Sequence, residues 1–400
     1  MRISSVQMFQ QGISAILNQQ AKLAQTEQQL ATGRRVLTPA DDPVAAAQIL
    51  DITEDLALVD QYQRNGNLAQ GQLALEDTIL NDVGNVIQRV RELVLQANNA
   101  SQGPDTRRGI ATEIEGRIDE LLALANTRDA SGEYIFAGFQ AEGEPFARAG
   151  AGFSYAGDDG QRFLQLSAGT QVAVRDSGRD VFMSVASGNG TFSVAPDAAN
   201  TGTALAGQNS VISTFTPDQY TIDFSQPAPG GPITYQVSDS SPAVVASGTY
   251  NEGDSIQFAG ASIAFTGTPA DGDSFDVAPS VKRDMFSLLQ GIADDLNNSG
   301  TAPADLAALN NAMGLALDEL DQSLGKILEV RADVGVRLNL VENQLDINDS
   351  FNLQLQETLS GVQDLDYAEA ISRFNLELTA LQAAQQAYAR MQGLSLFNYL

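Results

Sequence analysis

The two ends of this chain carry the same stripe, although nearly the whole molecule lies between them. Near the start, Val6, Phe9, Ile13, Ile16, Gln20, Leu23, Glu27 and Leu30 step by three and four. Near the finish, Tyr367, Ile371, Phe374, Leu378, Leu381, Gln385 and Tyr388 step in the same way. That spacing keeps one narrow apolar seam facing a partner helix. Neither seam has a core of its own beside it, so the ends are expected to meet each other or other molecules. A lone helix gains ~1.5–3 kcal/mol for each seam side chain it buries and loses ~1–2 kcal/mol of backbone entropy for each residue it orders. Residues before about Thr38 and after about Gly361 are therefore expected to be disordered in a single subunit and to fold on assembly.

Proline marks the plan of the rest. Of 13 Pro, nine fall between Pro145 and Pro279, and none lies beyond Pro303. Interior Pro breaks helices, so the flanks can be long helices and the middle cannot. The first helix is expected over about Val6 to Ala31, closed by Gly33, with Arg34 and Arg35 at the negative end of its dipole. A linker, Val36 to Asp42, leads to a strong start signal: Asp42 as N-cap and Pro43 in the first turn. Ile79, Val83, Val86, Val90, Leu93 and Ala97 continue that helix, and Gly103-Pro104-Asp105 turns the chain into a third. Helix resumes near Ser280. After a loop from Asn297 to Pro303 comes a long heptad: Leu324, Ile327, Arg331, Val334, Leu338, Val341, Leu345, Asn348, Asn352, Leu355, Leu359 and Val362. The polar pair Asn348 and Asn352 reads either as a register device or as a local bend.

From about Gly132 the pattern changes to period two, as in Gln171–Arg175, Tyr220–Phe224, Ile233–Val237, Ile256–Phe258 and Ile263–Phe265. Turn clusters such as Gly157-Asp158-Asp159-Gly160 and Pro229-Gly230-Gly231-Pro232 separate these runs. Short alternating strands with frequent turns argue a β-rich module, a sandwich or small barrel. The fold expected is mainly α with inserted β: a long antiparallel helical bundle or coiled coil built from both termini, plus a central β-rich domain. Residues 1–40 and 361–400 are read as terminal assembly helices. Residues 41–184 and 280–360 are read as a helical core with a β-hairpin region, and residues 185–279 as an inserted outer domain.

Composition removes most chemistries. Twenty-two Lys+Arg against 50 Asp+Glu leave a net charge of −28, which repels phosphate backbones and anionic lipid, so neither nucleic acid nor membrane is an expected partner. There is no Cys, no His and no Trp. Thiolate nucleophiles, disulfides, thiolate metal sites and the commonest general base are thereby excluded. No catalytic, metal or cofactor site is singled out, and the chain is not expected to be an enzyme. Asp271, Asp273 and Asp276 lack the spacing of a calcium loop and read as a solvated turn. No apolar run approaches the ~20 residues of a membrane helix, and no cleavable signal peptide is visible in the first residues.

At this point a resemblance enters. Gln29-Leu30-Ala31-Thr32-Gly33-Arg34-Arg35-Val36 followed by Pro39-Ala40-Asp41-Asp42-Pro43 resembles the N-terminal signature of the bacterial flagellin family. The Asp-Asp-Pro form, together with Gly132-Glu133-Tyr134-Ile135-Phe136-Ala137-Gly138, is similar to its hook–filament junction branch. The tail from Asp366-Tyr367-Ala368-Glu369 to Leu396-Phe397-Asn398-Tyr399-Leu400 resembles that branch as well. The resemblance implies an inner tube of terminal coiled coils, a surrounding helical layer and an outward β module. It implies a structural adaptor between a hook-side junction protein and the first flagellin subunits. It further implies self-association in a ring, an export chaperone, type III export without a cleaved signal, and an extracellular place on the flagellum. The assembly seam is then Val6, Phe9, Ile13, Ile16, Leu23, Leu30, Ile371, Phe374, Leu378, Leu381, Tyr388, Leu396 and Phe397. The signature residues are Gly33, Arg34, Asp41, Asp42, Pro43, Phe136 and Gly138. Two other readings stay open, a filament-forming flagellin subunit and an adhesin-like binding module.

Overall fold

The computed structural model describes residues 5–99, 102–150, 152–228 and 230–393. Three helices open the chain: α1 (Ser5–Thr32), α2 (Pro43–Ala97) and α3 (Pro104–Ala125). Helix α5 (Met285–Asn297), α6 (Pro303–Gln363) and α7 (Tyr367–Gly393) close it. Between them lie a short α4 (Gly178–Phe182) and the strands. Helix α5 starts later than the pattern near Ser280 suggests, because Asp284 caps it by accepting the N–H of Ser287 at 2.7 Å. Helix α6 runs unbroken past Asn348 and Asn352.

The chain forms two compact units, residues 1–65 with 344–400, and residues 66–343; α2 and α6 contribute to both. In the first unit α1 packs along α7, so the segments expected to be disordered in a single subunit are helical over 5–32 and 367–393. The reason is that the two ends supply each other's missing partner, which a lone helix lacks. Antiparallel pairing of α2 with α6 here is marked by Gln63 donating to Asp349 and Asn352 donating to Asp60, both at 2.8 Å.

In the second unit the α2–α6 pairing is held by ion pairs of Arg91 with Asp321 (2.7 Å) and Arg331 with Asp77 (2.9 Å). Arg331 thus sits in the heptad as a cross-helix salt bridge. Helices α3 and α5 pack on each other, with Ile110, Ile114, Ile118 and Leu121 facing Leu289, Ile292 and Leu296 in a buried core. Two hairpins follow α3: β1 (Phe146–Ala149) with β2 (Gly152–Tyr155), and β3 (Phe163–Ser167) with β4 (Thr170–Ala173). Phe136, Phe146, Phe182 and Phe286 form a buried aromatic cluster with ring centroids 5.1–5.8 Å apart.

The remaining strands are β5 (Val185–Ala186), β6 (Phe192–Pro196), β7 (Leu205–Val211), β8 (Tyr220–Ser225), β9 (Thr234–Ser238), β10 (Val244–Thr249), β11 (Ser255–Phe258), β12 (Ala261–Thr266), β13 (Ser274–Pro279) and β14 (Lys282–Arg283). A five-stranded antiparallel sheet, in the order β10-β9-β8-β13-β6, faces a three-stranded one, β11-β12-β7. One apolar core, including Ile222, Phe224, Val237, Ile263, Phe265 and Phe275, fills the space between them, as in a sandwich. Strands β5 and β14 pair at its base. Asn311 of α6 pins the module: its amide donates to the Ala204 carbonyl at 3.0 Å and accepts from Ala206 N–H at 2.8 Å. Between Arg179 and Lys282 the chain has no Lys, Arg or His, so every charged side chain of the sandwich is Asp or Glu. Asp273 is no solvated turn residue. It is 2% exposed and accepts the N–H groups of Thr201, Gly202 and Ala270 at 2.8–3.0 Å, which ties the 197–203 loop to the 268–273 turn.

Candidate assembly interface

The seam in the first unit follows one line with two edges. Phe9, Ile16, Leu23 and Leu30, seven residues apart, lie on the inner face of α1. The interleaved positions turning inward are Gly12, Gln19 and Thr26, one residue before the expected Ile13, Gln20 and Glu27. Thr26 donates to the Glu377 carboxylate at 2.8 Å, and Gln19 donates to the Glu377 carbonyl at 3.3 Å. On α7 the inner face is Ala370, Phe374, Leu378, Leu381 and Tyr388, and Phe9 meets Tyr388 edge-on with centroids 5.9 Å apart. Ile13 and Ile371 point outward, 45% and 50% exposed. Val6 lies in α1, but its side chain falls outside the described residues, as do Leu396 and Phe397.

The signature residues build the corner where four helix ends meet. Gly33 closes α1 with φ +71°, its N–H donating to the Gln29 carbonyl at 2.8 Å. A Cβ there would stand 2.8 Å from the Tyr367 hydroxyl. The next residues run antiparallel to the link between α6 and α7: Arg34 bridges Asp364, Arg35 N–H donates to Gln363 at 2.7 Å, and Leu365 N–H donates back to Gly33 at 2.9 Å. The Arg35 guanidinium does not serve α1. It donates to the Val362 carbonyl at 2.8 Å and satisfies the free carbonyl end of α6. Asp41 accepts from the N–H and hydroxyl of Thr38, the N–H of Leu37 and the Gln25 amide. Asp42 caps α2 through Ala45 N–H at 3.0 Å, with Pro43 in the first turn. Backbone N–H donors, Thr38 for Asp41 and Ala45 for Asp42, hold both carboxyls below the usual range. Buried Gln29, which donates to the Arg35 carbonyl at 2.7 Å, completes the corner.

The other two signature residues stand in the second unit. Phe136 is fully buried edge-on against Phe182. Gly138 has φ +68°, and a Cβ there would lie 2.2 Å from the Asp158 carboxylate, which accepts from Phe139 N–H.

The first unit is thinly packed. Its buried apolar residues among those described are Val36, Ala45, Val59, Leu355, Leu365, Ala370 and Leu381. Outside stand Leu17, Val44, Leu50, Phe351, Leu353 and Leu376, 46–72% exposed. Among the described residues no helix is long and apolar enough to cross a membrane, and no acidic group is placed to hold a metal ion.

Known proteins carry the same arrangement. Residues 3–141 match the bacterial flagellin N-terminal helical region and residues 317–400 the bacterial flagellin C-terminal helical region, so the two ends define a flagellin-type helical frame. Flagellar hook-associated protein 3 of Escherichia coli K12 is 28% identical over 398 residues, covering 100% of this chain and 99% of that protein. The crystal structure of flagellar hook-associated protein 3 from Legionella pneumophila superposes with a TM-score of 0.76 at 32% identity, over 78% of this chain and 98% of that one. The flagellar junction protein FlgL from the same organism gives 0.73 at 32%, over 80% and 100%. The chain belongs to the flagellar hook-associated protein 3 family.

Proposed function

We propose that the chain is a structural adaptor of the bacterial flagellum, joining a hook-side junction protein to the flagellin filament. The observation that carries this reading is the imbalance of the first unit. The inner faces of α1 and α7 are spent on each other, yet large apolar side chains remain on their outer faces and on the neighbouring stretches of α2 and α6. Burying each contributes about 1.5–3 kcal/mol, which favours neighbours along a shared axis. Copies related by rotation about that axis close into a ring if the rotation fits. The terminal helices, residues 1–40 and 361–400, are the assembly part. Residues 41–184 with 280–360 form the helical body, and residues 185–279 an outward module. An export chaperone would cover the apolar ends before assembly, and the subunit would leave the cell through the flagellar export apparatus without a cleaved signal. No catalysis is assigned to it.

The test separates outer from inner positions. Ile13→Asp and Ile371→Asp leave the α1–α7 contact intact, so each variant is expected to unfold like the native chain. In cells lacking the native protein each should fail to restore swimming and leave filaments detached from the hook. Normal motility of both variants, or a protein spread along sheared filaments instead of at their base, would overturn the adaptor reading.

A further inference from the structure

On α2 the residues facing the helical core run Leu73, Glu76, Leu80, Val83, Ile87, Val90 and Val94, in steps of three and four. All are buried, and Glu76 is the one charged member. A carboxyl thus stands at 0% exposure where each neighbouring turn places an apolar side chain. Its Oε1 accepts the N–H of Asp176 at 3.0 Å, and its Oε2 has no hydrogen-bond partner.

Two guanidinium groups, Arg337 and Arg175, stand close enough to favour its charged form, but both are already paired with other carboxylates. Asp176, after β4, is ion-paired with Arg337 of α6. Arg175, 2% exposed, is paired with Asp129 and, at 3.0 Å, with Glu133, both on the loop after α3. Arg162, ahead of β3, binds Glu133 at 2.7 Å. On α2 itself, Asp77 turns away to Arg331. Three guanidinium groups, Arg162, Arg175 and Arg337, therefore meet three carboxylates, Asp129, Glu133 and Asp176. An ionised Glu76 would add one uncompensated negative charge beside Asp176, and a buried unpaired charge is among the costliest groups a fold can hold.

We propose that Glu76 is carried protonated in the folded subunit and acts as a proton-linked latch. Neutral, it closes the 129–133 loop and the 174–177 turn onto α2 and α6; ionised, it loosens them. Burial, and next the Asp176 charge, push its pKa up to about 8. The folded state therefore binds this proton more tightly than the unfolded chain. Stability from this group is full below the unfolded value near 4.5, falls as pH rises, and levels off above about 8. The chain has no His or Cys, so few ordinary side chains titrate in that window. Asp295 and Asp318 are also raised, by burial and then acidic neighbours, so a variant at Glu76 itself must assign the effect.

The experiment is urea unfolding of the full chain at fixed ionic strength across the neutral and alkaline range. The unfolding constant of the native chain should rise about a hundredfold between about pH 6 and about pH 9. In Glu76→Gln, which keeps the shape of the neutral acid, it should change by less than about threefold. A flat native profile, or the same slope in Glu76→Gln, overturns the latch. Should Glu76→Gln not fold, hydrogen exchange of the native chain decides, corrected for intrinsic rates. Selective loss of protection at residues 129–135 and 174–178 at alkaline pH supports the latch, and uniform loss across α3 and α5 overturns it.

Discussion

Gly138 shows how a residue of the family signature is fixed by backbone geometry and close packing. Its positive φ and the Asp158 carboxylate pressed against it leave no room for a methyl group. Gly138→Ala is expected to lower stability by about 1–3 kcal/mol. Gly143→Ala, with open space around it and an ordinary φ, should stay within about 0.5 kcal/mol; calorimetric melting of both variants checks the contrast. The caps show what short-range chemistry makes readable. Asp42 and Pro43 announce a helix start from adjacent residues alone. Arg35 could not be read that way, because the α6 carbonyl it satisfies belongs to Val362, far away in sequence. Asp273 escapes a local reading for the same reason: its partners Thr201 and Gly202 come from another part of the sandwich.

At the scale of elements, periodicity locates the helices and sets the interleaved seam positions one residue too late. Phe9, Ile16, Leu23 and Leu30 lie on the inner face of α1. Between them Gly12, Gln19 and Thr26 turn inward in place of the expected Ile13, Gln20 and Glu27, and Gln19 and Thr26 bond to Glu377. Ile13 stands outward, 45% exposed, and a three-four spacing by itself does not fix which of two adjacent residues turns inward. Strands were legible where alternation was clean, as in β8 and β9, and hidden where Gly, Ala and Pro diluted it, as in β1, β7 and β13. Leu381, 9% exposed against α1, gives a test at this scale. Leu381→Asp is expected to cut the opening free energy of the α1–α7 pair by about 2–4 kcal/mol. Amide exchange should accelerate across 9–32 and 367–388 while residues 192–277 keep their protection.

Taken whole, the molecule divides its stability unevenly. Residues 66–343 hold a dense helical core and a sandwich core, whereas residues 1–65 and 344–400 hold few buried apolar side chains and many exposed ones. The family frame could be read from the ends because their signatures are local. The sandwich's exact strand order could not, because β13 lies between β8 and β6 only through long-range pairing. The absence of any Lys or Arg between Arg179 and Lys282 carries a consequence for proteolysis. Enzymes that cleave after basic residues find their nearest targets only at the two stalks of the sandwich. Limited trypsin treatment of the whole subunit should release one piece spanning 180–282 that still shows a β-type circular dichroism spectrum. A released piece without that spectrum would mean the module leans on its helices to stay folded. If it keeps its shape, such digestion can shear this surface off but cannot nibble into it.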